Sequence, residues 1–240
     1  MHIRGILGAA GLSAVLAGCG GGSDTPTVYA YPAVGVYSGS MTGLGNAQRL
    51  IVLPNLEYWV IYGSEGSASN FTLNGAIYGS DIRPLPGVDY TRGTSYGVSY
   101  TGDLNVRALY QSDGLVFGTA TSSQNVVYSF DGRPYNPSTS SGVQGLWTLR
   151  ALDNQLVNVD IGTGGAFSAT TQSSCVFTGN LSGAGLNNVY RVSIVDVNRC
   201  LSNSISLAGV ALFETSFAFR QQLLVSAIGN GVGVGLYGAR

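Results

Sequence analysis

Leu156-Val157-Asn158-Val159-Asp160-Ile161 is the stretch that decides the fold. Val157, Val159 and Ile161 share one parity and Asn158 and Asp160 the other, so an extended chain here has one apolar and one wet face. The same period of two returns at Tyr190, Val192 and Ile194 against Arg191 and Ser193. In the first half, Tyr58, Val60 and Tyr62 share a parity, as do Phe71, Leu73 and Ile77. Short alternating runs bounded by Gly, Asn, Asp and Ser read as half-buried antiparallel strands. Gly162-Thr163-Gly164-Gly165 is a tight connection of the expected kind, and Gly183-Ala184-Gly185 reads as the turn of a second hairpin.

No segment beyond the N-terminus sustains a 3.6-residue apolar period over three turns. Ser216 to Ile228 comes nearest and is better read as a strand. The glycine run Gly229 to Gly235 is not a phosphate loop, because Val232, Val234 and Leu236 alternate with the glycines and no helix follows. It reads as a terminal strand whose glycine face packs closely on a neighbour. The expectation is an all-β chain of about fifteen strands.

Asp131 to Gly142, DGRPYNPSTSSG, interrupts the periodic pattern with Pro, Ser and Gly. On either side the same order of signals recurs, opened by Gly35-Val36-Tyr37 and by Gly145-Leu146-Trp147. The chain therefore divides into residues 1–18 (signal peptide), 19–32 (tether), 33–131 (first β domain), 132–142 (linker) and 143–240 (second β domain). Each domain is expected to be a meander barrel or a sandwich. Closure into two consecutive small antiparallel barrel-like domains is favoured, because closure removes strand edges that so few charges would otherwise protect.

Composition narrows the chemistry. Of 240 residues 10% are charged and 45% hydrophobic, and the formal net charge is −1. That excludes a disordered chain and gives no electrostatic footprint for nucleic acid. All 11 basic residues are Arg, and the one His is His2. Beyond the N-terminal segment there is neither Lys nor His, which removes Ser-His-Asp and Cys-His arrangements, Schiff-base lysines and histidine-ligated metals. No catalytic residue, metal or cofactor is expected. The 12 acidic residues are scattered singly, mostly in turn contexts. A carboxylate-dependent hydrolase is the enzymatic alternative.

Residues 1–19 read MHIRGILGAAGLSAVLAGC: Arg4, then an apolar run too short to span a bilayer, then Leu16-Ala17-Gly18-Cys19. This resembles a bacterial lipoprotein signal peptide with its lipobox, which implies cleavage before Cys19 and acylation of its thiol. Gly20 stands where Asp would favour inner-membrane retention, so the resemblance implies the outer membrane, with the membrane a partner through the lipid anchor. An oxidising envelope then leaves Cys175 and Cys200 as an even remainder, expected to form one disulfide.

Gly145-Leu146-Trp147, at the start of the second domain, resembles the Gly-x-Trp opening of calycins, the lipocalins and avidins. In general plan the two domains are similar to surface lipoproteins that capture host proteins, such as transferrin-binding lipoproteins. Tyrosine is in excess, 14 against 8 Phe and 2 Trp. Tyr58 and Tyr62 share one strand face and Tyr96 and Tyr100 another, making them candidates to line a pocket for an apolar ligand. The expected function is a non-enzymatic binding or structural envelope module, for a small apolar ligand or an envelope or host protein. A membrane-spanning β-barrel is the alternative, because Gly, Tyr and low charge also suit one.

Overall fold

The computed structural model describes residues 34–41, 45–65, 71–80, 88–91, 99–100, 105–111, 114–120, 125–130, 142–198, 206–215, 220–229 and 232–240. Every regular element is a strand. The first unit holds β1 (Gly35–Met41), β2 (Gly45–Val52), β3 (Tyr58–Glu65), β4 (Phe71–Gly79), β5 (Val88–Thr91), β6 (Ser99–Tyr100), β7 (Asn105–Gln111), β8 (Gly114–Ala120) and β9 (Asn125–Phe130). The second holds β10 (Gly145–Ala151), β11 (Leu156–Ile161), β12 (Ala166–Thr171), β13 (Val176–Leu186), β14 (Val189–Asp196), β15 (Ser206–Thr215), β16 (Gln221–Gly229) and β17 (Val232–Ala239). The proposed linker falls almost wholly outside the described residues, as do the signal peptide and tether.

The second unit is a closed eight-stranded antiparallel barrel in which each strand pairs with its sequence neighbours and β17 returns to β10. The first is a nine-stranded sheet in the order β6-β5-β4-β3-β2-β1-β9-β8-β7. It too winds back on its own start, because the last strand pairs with the first through Gly39↔Phe130 and Met41↔Tyr128. Among the described residues no ladder joins β6 to β7, so the first unit is an open sheet there, and the closure expected of both units is seen in the second.

The period-two reading holds best in β10 to β13. Val157, Val159 and Ile161 point into the barrel with Trp147, Leu149, Ala169, Phe177 and Leu181, while Asn158, Asp160, Ser168 and Thr170 are exposed. Gly162–Gly165 closes a hairpin as expected, with Gly165 N donating to Gly162 O at 3.2 Å and φ +87° at Gly165. The loops after β2, β10 and β12 are built the same way, but put Leu56, Asn154 and Ser174 in the left-handed region. These are type I turns with an added left-handed residue.

Two local expectations fail. The β13–β14 turn is not Gly183-Ala184-Gly185: β13 continues to Leu186 through an irregular register, and Asn187-Asn188 makes the turn with φ +62° at Asn188. Asparagine tolerates that conformation, and a bulge absorbs the glycines. Nor do Leu73 and Ile77 face the same way. A bulge opposite Tyr62/Gly63 pairs Tyr62 with Gly75 but Gly63 with Leu73, which turns Leu73 over to the other face.

That other face is where the two units meet. Ile51, Leu53, Trp59, Ile61, Leu73 and Ala76 form one apolar cluster with Leu152, Val189, Val210, Leu212, Leu224 and Tyr237 of the barrel's outer wall. Gly235 lets β17 come close, since a Cβ there would lie 2.6 Å from Leu73 Cδ2. The glycine face expected of the last strand is thus turned to the seam. The seam also contains a buried ion pair, Arg49 Nε to Glu214 Oε2 at 3.0 Å, and Gln222 donates to the other carboxylate oxygen. At one edge Arg191 meets Glu57, whose second oxygen accepts from Trp59 Nε1 at 2.8 Å. Partial burial works to raise the Glu57 pKa, but bonds from Arg191, Trp59 and Asn55 prevail and hold it below the usual value.

Glu214 is 1% exposed, so removing it leaves a guanidinium and an amide buried without their acceptor. Glu214→Ala is expected to cost about 3–5 kcal/mol in urea denaturation, and the double change Arg49→Met with Glu214→Leu markedly less. A single-variant cost below about 1 kcal/mol would mean that the pair is solvated.

Candidate functional site

The barrel interior is plugged at one end and polar at the other. At the plugged end Trp147 donates from Nε1 to Val143 O at 2.7 Å and meets Phe213 edge-on at a centroid distance of 6.0 Å. Arg240, the last residue, lays its guanidinium over the indole, 4.2 Å from the ring centroid. It also donates to Gln144 O at 2.8 Å and Gly142 O at 3.2 Å, tying the two chain ends of the barrel together. Gly145 is needed here for its backbone, whose φ is +105°. The Gly-x-Trp spacing therefore has a local reason: the glycine takes the conformation that leads the chain into the strand carrying Trp147.

Beyond the plug lies a cavity of ≈ 70 Å³ walled by aliphatic and aromatic side chains, among them Leu149, Val159, Ile161, Val192, Ile194 and Leu223. Asp153, Gln155 and Thr171 are its polar lining residues, and they come from loops or strand ends at the far end of β10 and β12. These loops bond to each other: Ser173 Oγ donates to Gln155 Oε1 at 3.3 Å, and Gln172 N to Leu156 O at 3.2 Å. Cys175 N donates to Thr171 Oγ1 at 3.1 Å. A space so lined offers water few partners away from this rim and suits an apolar group.

The tyrosines expected to form a pocket are placed differently. Tyr58 and Tyr62 do share a face of β3 with Val60, but it is the face turned away from the seam, with Tyr37, Leu50 and Ile77, and they do not line the barrel cavity. Tyr58 lies over Gly79 of the paired strand, is 1% exposed, and its hydroxyl finds no partner among the described residues. Burial pushes the ionisation of that hydroxyl upward. Tyr100 falls in β6, while Tyr96, Cys19 and Cys200 lie outside the described residues. Cys175 is buried in the barrel core on the parity of Phe177 and Leu181, as read from the sequence. The polar rim was missed because Asp153, Gln155 and Thr171 belong to ordinary turn sequences, and only barrel closure brings them together. No protein-family model matches this chain, and a search of curated proteins finds no match either.

Arg240→Ala is expected to lower stability by about 2 kcal/mol, from the lost cation–π contact and three charged hydrogen bonds, to Gln221 Oε1, Gln144 O and Gly142 O. Arg240→Lys recovers less than half of that, because an ammonium cannot stack and fork at once. Urea denaturation followed by Trp147 fluorescence in a Trp59→Phe background measures both, and equal stability of all three proteins would remove the plug from this account.

Proposed function

We propose that this chain is an outer-membrane-anchored lipoprotein, held by acyl chains on Cys19, that acts as a non-enzymatic binding module and takes a small apolar group into its barrel. The observation that carries the reading is the apolar interior, closed under Trp147 and rimmed at the far end by Asp153, Gln155 and Thr171. Its ≈ 70 Å³ is under half of the roughly 150 Å³ apolar cavity that accepts benzene. The fitting occupant is therefore the end of one narrow alkyl chain.

A spanning barrel is disfavoured by the inversion of its faces. Membrane barrels turn apolar side chains outward, whereas β10 to β13 turn out Thr148, Asn158, Asp160, Ser168, Thr170, Thr178 and Asn180. A carboxylate-dependent hydrolase draws no support from Glu57 and Glu214, which are engaged by Arg191 and Arg49 in the seam. A Cys175–Cys200 disulfide belongs to the same reading. Val197 N donates to Val176 O at 3.0 Å and Asn198 Nδ2 to Ser174 O at 3.5 Å, so the chain leaving β14 passes beside Cys175 two residues before Cys200. Such a bridge would fasten the segment after β14 to the polar rim.

Two measurements test the proposal. Cys19→Ala should abolish labelling by a fatty-acid probe and membrane retention, and persistence of both would refute the anchor. Adding 1-octanol to the methyl-labelled protein should shift the Val159, Ile194 and Leu223 methyl resonances saturably, and Ala169→Phe, which fills the space, should abolish the shifts. Shifts that never saturate, or that survive Ala169→Phe, would rule out the barrel as the site.

A further inference from the structure

A second cavity, of ≈ 330 Å³, lies outside the barrel where its wall meets the first unit, lined by Thr72 of β4 and by residues of β10, β11, β16 and β17. β10 and β17 pair only at Arg150↔Tyr237 and Ala151↔Leu236, while the neighbouring β16–β17 ladder runs through eight pairs. The strands stay close beyond those pairs, a Cβ on Gly238 lying 2.6 Å from Thr148 O, and Thr72 of β4 lines the cleft from the first unit. The cleft is separate from the alkyl-sized space inside the barrel and does not depend on the reading given to it.

The lining has a consistent chemistry. Arg150 is its one charged member among the described residues. The guanidinium is fixed by a bond from Nη1 to Asn154 O at 3.1 Å and has no carboxylate partner among the described residues, so most of its five donors remain for a ligand. Tyr237 is 8% exposed, lines the cleft, and its hydroxyl makes no hydrogen bond among the described residues. Unlike that of Tyr58, this hydroxyl is reached by solvent, so it is open to a ligand in the cleft. Gln222 stands beside them with its amide committed to Glu214, Thr148 donates its hydroxyl to Asn158 Oδ1 at 3.2 Å, and Thr72 adds a hydroxyl. Leu156 and Leu224 supply an apolar wall.

A cation with free donors, an accessible tyrosine hydroxyl and a threonine hydroxyl around a small-molecule-sized space define a class of ligand. We infer that this cleft binds a small hydroxylated anion, a sugar acid or sugar phosphate, with its charge on Arg150 and a hydroxyl or ring oxygen on Tyr237.

Isothermal titration of the full chain with glucuronate and with glucose 6-phosphate, against neutral glucose, tests this. At least one anion is expected to bind saturably and about ten-fold or more tightly than glucose, consistent with a hydrogen bond to a charged group. Which anion binds tells carboxylate from phosphate. Arg150→Gln should weaken that binding about ten-fold and Tyr237→Phe about five-fold, with the denaturation midpoint kept as the check that both variants fold. Failure of both anions to bind, equal binding of glucose, or an affinity unchanged in Arg150→Gln would overturn the inference.

Discussion

The seam between the nine-stranded sheet and the barrel wall is the constraint on which the rest depends. β2 and β3 are buried on both faces: Ile51, Trp59 and Ile61 against the barrel, and Leu50, Tyr58, Val60 and Tyr62 on the opposite side. Burying each such side chain is worth about 1.5–3 kcal/mol, so a dozen of them outweigh any contribution of the ion pairs at this interface. The Arg49–Glu214 pair has a different role. It adds little net stability, but it penalises any register of sheet on barrel that parts the two charges.

The same seam divides the barrel into working surfaces. The outer wall of β15 to β17, with Val189 at the start of β14, meets the first unit, while Ser193, Val195 and Ala208 stay exposed; Val210 and Leu212 lie in the seam while Ala211 and Phe213 fill the interior. Strands β10 to β13 keep a wet outer face of Thr, Ser and Asn. The interior is sealed below by Trp147 and Arg240 and rimmed above by two loops that hydrogen-bond to each other.

Strand identity was legible wherever one face is wet, as in Leu156 to Ile161. The continuous runs Leu50 to Leu53 and Val210 to Phe213 carried a further signal, because a strand apolar at every position must be covered on both faces. What they could not name is the partner that covers them. The bulge that turns Leu73 over depends on pairing with β3, and the continuation of β13 past Gly185 depends on pairing with β14. Neither leaves a mark in the local sequence. Gly145 and Trp147 were legible as a motif, whereas Arg240, 93 positions beyond Trp147 at the chain end, becomes their partner only when the barrel closes. Asp153, Gln155, Arg150 and Tyr237 escape for the same reason: each is ordinary in its strand or turn and acquires a role from neighbours distant in sequence.

The central claim is that sheet and barrel fold as one cooperative body through the seam. The chain has two tryptophans, and they report the parts separately: Trp59 sits in the seam on the first unit and Trp147 at the barrel plug. Urea unfolding of the Trp59→Phe and Trp147→Phe proteins, each followed by its remaining indole and by far-ultraviolet circular dichroism, reads both. Within each protein the two signals should give one coincident transition, with an m value proportionate to the whole buried surface. Loss of the Trp147 signal at a midpoint distinct from that of the circular dichroism, leaving an intermediate with one unit folded, would contradict the shared core.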